Sequence, residues 1–185
     1  MKVAAPVDPL EHEAEKVGDV VQVGGLVPLT TLDFPDHLAC VLFCKGCGWR
    51  CRYCHNPQLI PACGSEEKPW PEILAFLEQR VGLLEAVVFS GGEPTLQTAL
   101  PEAIAQVRAL GYKVGLHSAG IKPKLFANIL PLVDWVGFDI KALPEHSSAI
   151  TGVDGSGKAN WKSLEHLLES GVEHECRTTV HWSLL

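Results

Sequence analysis

The sequence predicts an α/β fold built on a parallel sheet. Short apolar runs recur at Leu38–Cys44, Glu85–Phe89, Lys113–Leu116 and Val133–Ile140. Segments with the apolar spacing of helices lie between them. Strand and helix therefore alternate at least four times, which is the ordering of right-handed βαβ units.

Each element has its own signal. Residues 1–19 carry Pro6, Pro9 and a charged run over Glu11–Lys16. They read as an N-terminal tail, loose or briefly helical, with no function assigned. Residues 20–185 form the domain. Val20–Leu32 alternates loosely around Gly24-Gly25, which predicts a small hairpin. Leu38–Cys44 is almost wholly apolar, the signature of a strand buried on both faces. Pro69–Val81 reads as a helix, with its prolines in the first turn and Ile73, Leu74, Leu77 and Val81 on one face. Glu85–Phe89 is a second buried strand. Leu96–Leu110 is a helix that turns Leu100, Ala103, Ile104, Val107 and Leu110 inward and stops at Gly111. Lys113–Leu116 is the third strand. Pro123–Leu130 is a short helix halted near Pro131, and Val133–Ile140 is the fourth strand. Trp161–Ser170 is a helix with Trp161, Leu164 and Leu168 inward and Gly171 after it. Glu175–Val180 is the fifth strand. The chain stops soon after it, so the expectation is a truncated chain, a shorter family form, or an open edge that a partner covers. The sequence has no internal repeat beyond this alternation and no low-complexity segment.

Composition narrows the function. The 185 residues suit one domain, and 46% hydrophobic content is ordinary for a globular chain. A net charge of −7 argues against general affinity for nucleic acid or anionic membranes. No apolar run reaches the ~18 residues of a membrane span. The acidic start lacks the apolar core of a secretion signal. Seven cysteines, three of them tightly spaced, suit metal binding in a reducing compartment better than a disulfide framework. The expected location is the cytoplasm.

Those three cysteines lie in Cys47-Gly48-Trp49-Arg50-Cys51-Arg52-Tyr53-Cys54. Intervals of four and three residues let one loop wrap thiolates around three corners of an inorganic cluster. A full protein set for [4Fe–4S] is four thiolates, so three leave one iron free. Two alternatives compete. Cys44 could complete a closed cluster, although it ends an apolar run and equally reads as a buried small side chain. Zinc ribbons usually separate their Cys-x2-Cys pairs by a dozen or more residues, whereas here only Gly48, Trp49 and Arg50 intervene.

Cys-x3-Cys-x2-Cys with an aromatic before the last cysteine resembles the radical S-adenosylmethionine (SAM) superfamily. Phe43-Cys44-Lys45-Gly46-Cys47 and Cys54-His55-Asn56-Pro57 resemble its glycyl-radical-activating branch. The run from Gly24-Gly25-Leu26-Val27-Pro28 to Pro57 is similar to anaerobic ribonucleoside-triphosphate reductase activating proteins. The resemblance implies a partial parallel (β/α) barrel of the radical SAM type, here short of its last strand–helix unit. It also implies a [4Fe–4S] cluster on Cys47, Cys51 and Cys54 with SAM at the free iron, and hence sensitivity to oxygen.

Parallel sheets bind ligands beyond the carboxyl ends of their strands, which directs attention to the residues that follow each strand. After the second buried strand comes Ser90-Gly91-Gly92-Glu93-Pro94. Gly91 and Gly92 let backbone approach a ligand, and Glu93 can accept from an ammonium group. The resemblance matches this segment to the one that contacts the SAM amino group. The bland reading is a glycine turn with a solvated Glu. Asp139 and Lys141 share a strand face. The resemblance assigns them to SAM as well, against the alternative of an interior salt bridge. Tyr53 matches an aromatic near the adenine, and Ser118 could donate to SAM. His117 stands where related activases carry an acid, so it is ambiguous, as is His181 at the end of the fifth strand. Trp49 could shield the cluster, and Arg50 and Arg52 could balance its charge or meet a partner. Cys63 and Cys176 read as structural thiols.

Gly152-Val153-Asp154-Gly155-Ser156-Gly157-Lys158-Ala159 nearly spells a phosphate-binding P-loop. Its last position needs Ser or Thr, and no apolar strand precedes it. A polar turn suffices.

The functional expectation is a radical SAM activase. It would cleave SAM reductively to a 5′-deoxyadenosyl radical and generate a glycyl radical on a partner enzyme. Anaerobic ribonucleotide reductase is the expected partner, with flavodoxin or ferredoxin as reductant. The alternatives are activation of pyruvate formate-lyase or another glycyl-radical enzyme, a small-molecule radical SAM enzyme, and a non-catalytic iron–sulfur electron carrier. No side-chain acid or base is assigned, because the cofactor carries the hard chemistry.

Overall fold

The computed structural model describes residues 20–64 and 67–180. The tail expected over residues 1–19 and the reading of His181 lie outside them. Six strands form one open sheet in sequence order: β1 (Val23–Thr30), β2 (Ala39–Cys44), β3 (Ala86–Gly91), β4 (Lys113–Ser118), β5 (Trp135–Asp139) and β6 (Glu173–Arg177). β1 runs antiparallel to β2, and every later pairing is parallel. Five helices lie on the crossovers: α1 (Trp70–Glu78), α2 (Leu100–Ala109), α3 (Pro123–Ile129), α4 (Ser147–Thr151) and α5 (Ser156–Ser170). This is the mostly parallel α/β sheet that the apolar periodicity predicts, and it is consistent with the partial (β/α) barrel that the resemblance implies.

Strand alternation divides the core into two layers. Cys40, Leu42, Cys44, Val87, Phe89, Val114, Leu116, Val136 and Phe138 face outward, toward Ile73 and Leu77 of α1, Ile104 and Val107 of α2, Phe126 of α3 and Leu167 of α5. Ala39, Val41, Ala86, Val88 and Trp135 face the concave side. Phe34, from the β1–β2 loop, plugs that side with its ring 5.6 Å from Trp135. The central strands β2 and β3 are buried on both faces, so their apolar runs are continuous.

Several expectations change. Residues 20–32 give one strand, not a hairpin. Gly24 sits where the register with β2 shifts between Val23 and Gly25, so the glycine pair marks a bulge and not a turn. α1 ends at Glu78, and Val81 is exposed. α5 starts five residues before Trp161. Its inward positions are Ser156, Gly157, Asn160, Ser163 and Leu167, while Leu168 is 61% exposed and Trp161 only half-buried. Apolar periodicity misplaced this face because most of what the helix buries is small or polar. The last strand lies at Glu173–Arg177, earlier than expected, and is exposed along most of its length. The near-P-loop stretch bridges α4 and the start of α5, so a helix and not a strand leads directly into it. No helix among the described residues is long and apolar enough to cross a membrane.

Candidate functional site

A cavity of about 220 Å³ opens beyond the carboxyl ends of the parallel strands. Cys47, Cys51 and Cys54 line one wall, and Ser118, Asp139 and Lys141 line others. The cysteine loop is held from two sides. Gly46 N–H donates to Leu59 O (2.8 Å) and Cys47 N–H to Ile60 O (3.0 Å). Arg50 N–H donates to Thr151 O (2.8 Å) and Arg52 N–H to Ile150 O (2.9 Å), so the end of α4 accepts the far side of the loop. Trp49 is buried against Ala119 and Ile121 and anchors the loop from beneath. The Arg50 guanidinium donates to Cys47 O (2.9 Å) and Trp49 O (3.1 Å), which gives that arginine a local structural partner.

Cys44 is not part of this wall. It is fully buried in the outward layer, and burial pushes its thiol up to about 12. Burial likewise pushes Cys47 up to about 11 and raises Cys51, where nearby Lys141 works in the opposite direction. Metal coordination deprotonates a thiol outright, so these raised values belong to the metal-free protein. Among the described residues, no three His, Cys, Asp or Glu side chains converge on a single ion position. Cys47, Cys51 and Cys54 on one cavity wall are the thiolate donors that an iron–sulfur cluster takes. Cys63 is exposed on the loop's flank and Cys176 on β6.

Gly91 and Gly92 do make a close backbone approach, but to the chain itself. A Cβ on Gly92 would lie 2.8 Å from Gly46 C and closer still to Gly46 O, and one on Gly91 would lie 2.6 Å from Cys44 N. Glu93 N–H donates to Gly46 O (2.8 Å). The Glu93 carboxylate is 1% exposed and filled by donors from the chain. Ser118 Oγ (2.7 Å), Thr95 Oγ1 (2.7 Å) and Thr95 N–H (3.3 Å) reach Oε1, and Ala119 N–H (3.0 Å) reaches Oε2. Burial raises its pKa, and those donors pull it partway back. Glu93 and Ser118 thus tie the end of β3 to the end of β4 at the cavity edge. The Ser118 hydroxyl proton is already committed.

Asp139 and Lys141 meet as alternation predicts, with Nζ 2.8 Å from Oδ2. Burial works against the Lys141 charge, but the Asp139 carboxylate together with Tyr53 and Cys51 raises its pKa above the ordinary lysine value. The same Nζ stands 5.8 Å from the centre of the Tyr53 ring. The Tyr53 hydroxyl is buried and unpaired among the described residues; Thr179 approaches it without hydrogen-bond geometry. His117 lies deeper, its Nε2 3.0 Å from Asp33 O and 3.2 Å from Arg177 Nη1. Burial, then the guanidinium, hold its imidazole below the ordinary histidine value. Gly137 makes room for both groups, since a Cβ there would lie 2.8 Å from His117 Cδ2 and 2.9 Å from Arg177 Cζ.

Sequence reasoning missed Asn160. Its side chain reaches the backbone of Ala119, Asp139 and Lys141 at the cavity's edge. The signal was present as Ser156, Asn160 and Ser163, polar residues at helical spacing on a buried face.

The model of the Radical SAM superfamily matches residues 41–182. A Methanocaldococcus jannaschii protein assigned as a glycyl-radical enzyme activating enzyme is 30% identical over 165 residues, covering 85% of this chain and 67% of that protein. The pyruvate formate-lyase-activating enzyme of Clostridium pasteurianum is 35% identical over 138 residues, covering 70% of this chain and 56% of that enzyme. The chain therefore spans between about half and two thirds of these relatives. The solved structure of native anSMEcpe with bound AdoMet shares the fold, with a TM-score of 0.55 at 19% identity, over 71% of this chain and 40% of that one.

Proposed function

We propose a glycyl-radical activase, starting from a plain fact: the chain belongs to the radical SAM superfamily. Proteins of this family work with a [4Fe–4S] cluster and SAM. Bound here, the two would supply one-electron reductive cleavage of the sulfonium carbon–sulfur bond and, through it, the means of hydrogen-atom abstraction.

In this reading Cys47, Cys51 and Cys54 hold the cluster. The observation that carries it is sidedness: the three loop cysteines share one cavity while Cys44 is buried in the opposite layer. The cavity also fits a zwitterionic nucleoside. Asp139 and Lys141 offer one charge of each sign, and the unpaired Tyr53 hydroxyl is a ready partner for a polar ligand atom. Gly91, Gly92, Glu93 and Ser118 orient SAM by shaping the wall. Glu93 acts through its bonds to Ser118 and Ala119, and through the cavity surface it contributes. The chain's own work is to bind, orient and exclude water.

The partner is a glycyl-radical enzyme, and anaerobic ribonucleotide reductase is the first candidate, on the likeness of the Gly24–Pro57 run. The C. pasteurianum relative favours pyruvate formate-lyase as the second. The reductant is a flavodoxin or ferredoxin and the location cytoplasmic. A non-catalytic electron carrier is less well supported, because it needs a fourth thiolate in the cavity.

Anaerobic reconstitution tests the reading. Iron and sulfide should bind, SAM should perturb the spectrum of the reduced cluster, and dithionite should yield 5′-deoxyadenosine. A glycyl-radical signal should then appear on the correct partner. A cluster indifferent to SAM, or no nucleoside cleavage under strong reductant, refutes it.

A further inference from the structure

We propose that Asn160 is a positioning residue of the cavity: it locks the carboxyl ends of β4 and β5 together and so sets the shape that receives SAM. The inference rests on the functional reading above.

The β4–β5 ladder pairs Ser118 with Phe138 and goes no further. Beyond that point Asn160 continues it with a side chain. Its Nδ2 donates to Ala119 O (2.8 Å) and to Asp139 O (2.9 Å), and its Oδ1 accepts from Lys141 N–H (3.3 Å). The two carbonyls can only accept, so the amide has one sensible orientation. The residue is 1% exposed, and no water need complete its bonding.

The bonds lead directly to the cavity walls. Ala119 carries the N–H that reaches Glu93 Oε2, and Asp139 and Lys141 form the charged pair. One amide thus fixes the spacing between the Glu93–Ser118 wall and the Asp139–Lys141 wall. Ser163, one turn on, donates to Gly120 O (2.6 Å) and reinforces the same junction. A merely structural asparagine would satisfy buried carbonyls anywhere; this one satisfies the carbonyls of residues whose other groups line the cavity.

The test compares reconstituted wild type, Asn160→Ala and Tyr112→Phe. Tyr112→Phe also removes a buried side-chain bond, from the hydroxyl to Leu77 O (2.6 Å), but on the helix side of the sheet. Melting temperature, iron per chain and SAM dissociation constant are measured for each, the last by titrating SAM against the reduced-cluster spectrum. The expected result is comparable loss of melting temperature in both variants, full iron in both, and SAM binding at least about tenfold weaker in Asn160→Ala alone. Should Asn160→Ala fail to fold, Asn160→Ser, which keeps one donor, takes its place with a smaller loss in the same direction. Wild-type affinity in the Asn160 variant overturns the proposal, as does equal weakening in Tyr112→Phe. Failure of the wild type to bind SAM overturns the functional reading along with it.

Discussion

Replacing Cys44 with alanine separates an open cluster from a closed one. Its thiol is fully buried in the outward apolar layer, among residues that include Leu42 and Phe89. Removing one buried sulfur resembles deleting a methyl group from a core, at a cost of about 0.5–1.5 kcal/mol. In a domain of this size each kcal/mol moves the melting temperature by roughly 2–4 °C. Cys44→Ala should therefore melt about 1–6 °C lower and still bind a full complement of iron and acid-labile sulfide after anaerobic reconstitution. Cys47→Ala should lose the cluster, because its thiol lines the cavity. Circular dichroism melts and iron and sulfide analysis measure both effects. The reasoning is wrong if Cys44→Ala loses its iron, or if Cys47→Ala keeps it.

Three more outcomes follow from the geometry. The fold holds His117 neutral, with its pKa depressed by burial and Arg177, whereas the unfolded imidazole protonates near pH 6.5. The unfolded chain therefore binds more protons just below that pH, and stability falls as pH drops from about 7 through the folded-state value. Urea melts should show a shallower fall for His117→Gln between pH 7 and 5.5, and an unchanged slope would count against this account. In Glu93→Gln the amide oxygen can serve the donors from Thr95 and Ser118, but its NH2 then faces Ala119 N–H. A loss of about 1–3 kcal/mol is expected in denaturant unfolding, and a variant as stable as wild type would contradict it. Gly137→Ala should cost about 1–3 kcal/mol through collision with His117 and Arg177. His117→Ala in the same chain should relieve part of that cost, as a double-mutant cycle would show.

Much of this was legible in the sequence, and the failures have physical causes. The buried strands announced themselves as short, continuous apolar runs, because β2 and β3 are buried on both faces and are too short to be helices. The cysteine loop was equally plain, since its ligand spacing is local. What sequence could not show was who bonds to whom across the sheet. Glu93 and Ser118 lie 25 residues apart and meet only because β3 and β4 are neighbours. Gly91 and Gly92 line the cavity as expected, but sequence could not show that their missing Cβ atoms also let them pack against Cys44 and Gly46. The α5 face was misphased because hydrophobic spacing cannot find a buried side made of Ser156, Gly157, Asn160 and Ser163.

The separation of Cys44 from the three loop cysteines is itself a consequence of sheet register. β2 pairs with β3 over six consecutive residues, from Ala39↔Ala86 to Cys44↔Gly91. Within that register Cys40, Leu42 and Cys44 must share the outward face, because strand side chains alternate. Bringing Cys44 to the concave side would require a one-residue slip, and such a slip would carry every apolar side chain of β2 to the wrong layer. The chain instead leaves the strand through Lys45 and turns at Gly46, whose φ of 89° suits glycine. Only after that turn does it present Cys47, Cys51 and Cys54 to the cavity. A fourth thiolate is therefore withheld by the same hydrophobic core that holds the sheet together. An iron–sulfur cluster seated here would keep one iron for a ligand that the protein does not supply.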